Sequence, residues 1–117
     1  MKNYLLLLFA IGTILVSCKK DPVKPTIVTN EVTNITTTTA DVDANVTADG
    51  GADVTSKGVC WSMNQNPTIA DNNTNDGGGM GAFTSKLTDL IPNTTYYVRA
   101  FATNEAGTAY GEQKSFM

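Results

Sequence analysis

Two hydrophobic patterns divide this chain. From Tyr4 to Val16 nearly every position is apolar, whereas beyond Thr26 apolar and polar residues take turns and no apolar period of 3.6 is sustained. Successive side chains of a β-strand point to opposite faces, so alternation predicts half-buried strands. Thr26 to Thr33 reads as the first strand. In the second, Ala40, Val42, Ala44 and Val46 share one face while Asp41, Asp43 and Asn45 fill the other. After the turn cluster Asp49-Gly50-Gly51 a third strand runs from Lys57 to Met63, with Val59 and Trp61 inward and Cys60 on the opposite face. Residues 64–81, mostly Asn, Asp, Thr and Gly, read as a long mobile connection too polar for the core. β character resumes from Phe83 to Leu87. The longest alternation follows, through Leu90, Pro92, Thr94, Tyr96, Val98, Ala100, Ala102 and Asn104. Turn-forming clusters recur about every ten residues, the spacing of an all-β sandwich or barrel.

The apolar segment at the start has a different meaning. Lys2 gives it a cationic beginning, Leu5 to Val16 an apolar body, and Ser17 a small residue at its end; Cys18, Lys19, Lys20 and Asp21 follow at once. A bilayer-crossing helix needs about 20 apolar residues, and this run is too short. Leu15-Val16-Ser17-Cys18 resembles the lipobox of bacterial lipoprotein signal peptides. The resemblance implies that the Cys18 thiol receives a diacylglycerol, that a peptidase cuts before Cys18, and that the new amino terminus is acylated. Each buried methylene adds about 0.8 kcal/mol, so several chains on one residue anchor it firmly. The implied organisation is a signal peptide over 1–17, a lipidated Cys and Pro-containing tether over 18–25, and one domain over 26–117. Lys19 after the Cys implies, by resemblance to Gram-negative sorting, an outer-membrane address. Lys19, Lys20 and Lys24 lie where they can meet anionic headgroups.

About 100 residues then remain, enough for one modest core. From Thr26 onward there are four basic residues, Lys57, Lys86, Arg99 and Lys114, against ten acidic ones, a net charge of −6. Such a domain, without a basic stripe, is not expected to bind nucleic acid, where phosphate neutralisation supplies much of the affinity. The chain contains no His, which removes the commonest general base, the usual serine and cysteine catalytic arrangements, and His-containing zinc sites. Its only cysteines are Cys18 and Cys60. A lipidated Cys18 leaves Cys60 unpaired, as a small hydrophobe in a strand. The alternative, a Cys18 to Cys60 bridge, would tie the stalk to the domain interior.

Three stretches, Gly58-Val59-Cys60-Trp61-Ser62, Asn66-Pro67-Thr68 and Pro92-Asn93-Thr94-Thr95-Tyr96-Tyr97-Val98-Arg99-Ala100, together with Gly107-Thr108-Ala109-Tyr110-Gly111, resemble the fibronectin type III-like modules of bacterial surface lipoproteins. The resemblance spans most of residues 26 to 116. It implies an all-β, immunoglobulin-like sandwich of fibronectin type III type. It also gives Tyr96 the role of a tyrosine corner, its hydroxyl bonding back to nearby backbone. The early-strand Trp of common fibronectin type III domains is absent, with Trp61 in the third strand instead. No Arg-Gly-Asp sequence occurs, so nothing supports integrin-type adhesion.

Candidate chemistry is sparse, and no cofactor is expected. Asp41 and Asp43 share a strand face; as an acid/base pair they would need to flank a cleft, and outward solvated carboxylates are the plainer reading. Asp71, Asn73, Asn75 and Asp76 alternate oxygen ligands before Gly77, the style of a calcium loop. Yet the Gly falls one place late for an EF-hand, and Ala82 stands where Glu is required. Asn34, Asn45, Asn72 and Asn93 open Asn-x-Ser/Thr triplets, which a Thr-rich chain produces by chance. Tyr97, Arg99 and Phe101 line up on the outer face of one strand. They form either a surface for a glycan or protein ligand or a cross-strand ladder that steadies the sheet. The expected function is a lipid-anchored, non-catalytic envelope module that binds a glycan or protein. A structural spacer is the alternative, and a hydrolase using Asp41 or Asp43 is the third reading.

Overall fold

The computed structural model describes residues 21–117; the signal segment 1–17, Cys18, Lys19 and Lys20 lie outside the described residues. The described chain is all-β, built from β1 (Thr26–Thr33), β2 (Ala40–Ala48), β3 (Ser56–Ser62), β4 (Asn72–Asn73), β5 (Gly81–Leu87), β6 (Tyr96–Asn104), β7 (Gly107–Tyr110) and β8 (Lys114–Phe116). Two antiparallel sheets result. One has the order β1-β2-β5; the other runs β4-β3-β6-β7, with β8 also pairing to β6. The alternation expected for the second and sixth strands is realised: Val42, Ala44 and Val46 of β2 and Tyr96, Val98, Ala100 and Ala102 of β6 face one core with Ile27, Val59, Leu87, Leu90 and Phe116. Each fully buried Val or Leu contributes about 1.5–3 kcal/mol. Trp61 packs half-buried against the same core, on the side expected for it.

The polar connection after β3 is not loose. Asn73 and Asn72 pair with Cys60 and Trp61 as β4, and backbone bonds continue beside β3, from Thr74 N to Val59 O (2.9 Å) and from Lys57 N to Gly77 O (2.8 Å). Gly58 permits this, since a Cβ there would collide with Thr74 O. Pro67 is fully buried. Composition misleads here because attachment runs through main-chain groups, which every residue carries. Three strand limits also move: β3 runs over Ser56–Ser62 instead of Lys57 to Met63, and β5 begins at Gly81 instead of Phe83.

The segment before β1, expected as a free tether, docks from Val23 onward. Val23 N donates to Gly50 O (2.8 Å), Val23 O accepts from Asn104 Nδ2 (2.7 Å), and Pro25 is buried. Gly50, at φ 75°, is needed twice over, for its left-handed backbone and because a Cβ would strike Val23 O. Asn104 spends its whole amide here: Nδ2 also donates to Asp49 O (2.8 Å), and Oδ1 accepts from Ala106 N (2.8 Å). One buried side chain therefore ties together the amino-terminal segment, the β2–β3 loop and the β6–β7 turn.

A second buried polar group joins the sheets. β7 ends at Tyr110 and β8 starts at Lys114, which leaves Ala100 of β6 without a strand partner for its N–H. Thr29 Oγ1, only 1% exposed on β1, accepts that N–H at 3.0 Å. We expect Thr29→Val, which keeps the shape and orphans the donor, to lower stability in urea unfolding by about 1–3 kcal/mol. Thr47→Val on the exposed end of β2 should stay within about 0.5 kcal/mol.

Candidate functional site

The outer stripe of β6 lies where the alternation puts it, but it is largely covered. Arg99 donates through Nε (2.9 Å) and Nη2 (2.6 Å) to Pro67 O, and its guanidinium sits 4.2 Å from the centre of the Tyr110 ring. Asn66 N bonds Gln113 Oε1, and Ile69 N donates to the Tyr110 hydroxyl (3.2 Å). Residues 66–69 thus form a strap across the sheet from β3 to β7. Phe101 is only 5% exposed, and Tyr97 and Arg99 are half-buried. Of the two readings of this stripe, a ligand surface or a ladder that steadies the sheet, the packing favours the second: Phe101 is buried, and Arg99 holds the strap down.

Cys60 lies beneath the same strap. Its Sγ is 3.4 Å from Pro67 O and 3.5 Å from Arg99 O, and it is a free, fully buried thiol. Burial pushes its pKa up to about 11, against the lowering effect of nearby Arg99. A thiol that stays protonated is a poor nucleophile.

The calcium candidates are each engaged in hydrogen bonds within the protein. Asp71 Oδ2 accepts from Thr68 N (2.8 Å), while the Asn73 amide donates to Ile69 O and Asp71 O, each at 3.0 Å. Asn75 Oδ1 accepts from Gly77 N (3.1 Å), and Asp76 Oδ2 accepts from Thr74 Oγ1 (2.9 Å) and from Ser85 Oγ. Apart from the bond from Ser85 of β5, these are local loop bonds. Among the described residues no three acidic or cysteine side chains converge. Asp41 and Asp43 stand on the flat outer face of β2. Asp41 accepts from Asn34 Nδ2 (2.9 Å), which with Lys86 at 3.5 Å holds its carboxyl below the ordinary range; Asp43 accepts from Thr84 Oγ1 (2.7 Å). Neither flanks a cleft.

The alternation gave no sign of the concave surface at the end of the sandwich where β5 turns into β6. Leu90 is buried, and its N–H donates to Thr38 O (2.9 Å). The Tyr96 hydroxyl accepts from Ile91 N (2.9 Å), the tyrosine corner that the family resemblance implies. With Leu90 turned in, Ile91 is turned out, 54% exposed. It forms a ridge between two hollows. One, of about 370 Å³, is lined by Ile35, Leu90, Tyr96, Phe116 and Met117; the other, of about 590 Å³, by Trp61, Met63, Asn72, Asp89 and Tyr96. Ile35, Met63 and Met117 are exposed around them. Isolated residues of three separate loops make this surface, so no local sequence pattern marks it.

No family model matches the chain, and no curated protein does either. Among solved structures, the sensor domain of the anti-sigma factor RsgI4 from Pseudobacteroides cellulosolvens is 18% identical, with 79% of this chain and 91% of that one covered at a TM-score of 0.57. A myokine structure is 20% identical, covering 82% and 96% at 0.58. The sixth fibronectin type III domain of human fibronectin type III domain containing protein 3 is 25% identical, covering 82% and 81% at 0.53. With the two-sheet strand order, these likenesses establish the fold as a fibronectin type III-like, immunoglobulin-like β-sandwich.

The strap makes a prediction for Cys60. In native protein at about pH 8, peptide mapping after iodoacetamide should find Cys60 unmodified, and modified once denaturant opens the sandwich. The unfolded thiol ionises near pH ~8.5 and the folded one near 11, so stability is intact below the first value and falls as pH rises through the second.

Proposed function

We propose that this chain is a lipid-anchored, non-catalytic binding module of a bacterial cell envelope, held at the outer membrane through Cys18 and binding a protein partner at the β5–β6 end. The observation that carries the reading is the position of the exposed aliphatic cluster. Ile35, Met63, Ile91 and Met117 surround two hollows at the pole opposite the docked Val23. Cys18 is five residues from Val23, so an extended linker puts the amino-terminal pole within about 17 Å of the acylated residue. The cluster then points away from the bilayer. Exposed Ile and Met with a polar Thr and Asn rim suit a polypeptide surface better than a sugar, and Met adapts to varied partners. The sensor role named for the RsgI4 domain is in keeping with a ligand-receiving module. The spacer reading draws on the same docked segment and differs in expecting no partner at the exposed pole.

A benzophenone side chain installed at Ile91, in cells that make the protein, should yield a discrete protease-sensitive adduct, while one at Thr84 on the outer face of β5 should not. Ile91→Asp should abolish partner capture and change stability by no more than about 0.5 kcal/mol, since the side chain is mostly exposed. A glycosidase-sensitive adduct would reassign the ligand to a glycan. No adduct at Ile91, or equal adducts at both positions, would favour the spacer.

A further inference from the structure

A third hollow lies on the side of the sandwich, away from the pole. It holds about 240 Å³ and is lined by Ser56, Ile69, Asn73, Asn75, Phe101 and Thr103, with Thr74 at its edge. Its floor is aromatic because Phe101 pairs in register with Gly58, and no side chain from β3 stands between the ring and the wall formed by Thr74. Ile69, 45% exposed, makes the apolar wall.

The rim is neutral and retains unused bonding capacity. Asn73 spends its Nδ2 on Ile69 O and Asp71 O, which leaves Oδ1 as an acceptor. Asn75 has the opposite arrangement, with Oδ1 taken by Gly77 N and Nδ2 left as a donor. Ser56 Oγ makes no side-chain hydrogen bond among the described residues, and Thr103 Oγ1 pairs with Thr108 Oγ1 at 2.7 Å. No charged side chain lines the hollow.

An apolar wall over a buried aromatic floor, one amide acceptor, one amide donor and a free hydroxyl, with no charge, match one class of small ligand. We propose that this hollow binds a single uncharged pyranose unit, its C–H face against Ile69 above the Phe101 floor and its hydroxyls on Ser56, Asn73 and Asn75. A site of this size takes one ring, so binding is weak unless the sugar belongs to a repeating polymer that many anchored copies meet together. The site is independent of the protein-binding pole and can fail without it.

The test is a titration of the isotope-labelled full chain in phosphocholine micelles with methyl glycosides of glucose, galactose, mannose and N-acetylglucosamine. At least one should give saturable amide shifts confined to Ser56, Gly58, Ile69, Asn75 and Phe101. Asn75→Ala should weaken the response several-fold. Ser56→Leu, which fills the hollow without breaking a loop hydrogen bond, should remove it, and Lys86→Ala on the opposite sheet should leave it intact. The absence of shifts with all four glycosides would overturn the proposal. So would shifts centred elsewhere, or a response unchanged in Ser56→Leu with a native spectrum.

Discussion

The hydroxyl of Tyr96, accepting the N–H of Ile91, is the bond on which the β5–β6 end of the molecule depends. It contributes only about 0.5–1.5 kcal/mol net, as hydrogen bonds of this kind do. Its geometric consequence is larger. The ring that carries it is buried and stacks on Phe116 with centroids 5.8 Å apart, so the hydroxyl is fixed by the core and the loop is fixed by the hydroxyl. Leu90 is thereby committed inward and Ile91 outward. The two hollows exist because that ridge is held upright between them.

The other end of the sandwich is fastened by polar means. Asn104 satisfies three backbone groups at once, and Gly50 lets the amino-terminal segment lie close enough to be satisfied. Asp49, Asp53 and Glu105 surround this end, while the aliphatic cluster is at the opposite one. The middle is closed by Thr29, which gives the β6 backbone the acceptor that the break between β7 and β8 removes.

The sandwich was legible in the sequence wherever burial is one-sided. The alternation in β2 and β6 names the inward residues directly, and the fibronectin type III resemblance around Tyr96 implies the corner. Three features were hidden for a common reason. The strap at residues 66–69, the docking of Val23 and the bond from Thr29 to Ala100 all depend on main-chain groups meeting distant partners, and main-chain groups leave no mark on composition. The outer stripe shows the same limit from the other side. Alternation correctly put Tyr97, Arg99 and Phe101 on the outward face, but whether an outward face meets solvent is decided by what folds over it. Here a polar segment, anchored by one carbonyl to Arg99, does so. The exposed cluster at the β5–β6 end gathers single residues from separate loops and has no periodicity to read.

The central claim is that a lipid on Cys18 and a docked amino-terminal segment hold the sandwich upright, with the Ile91 pole away from the bilayer. It is tested most directly by paramagnetic relaxation from gadolinium-bearing lipids, with the lipidated chain in nanodiscs. Amides of Gly50, Gly79 and Glu105 should broaden strongly, and those of Ile35, Ile91 and Asn93 should stay sharp. Uniform broadening, the reverse gradient, or a chain that does not associate with the discs at all would contradict the account.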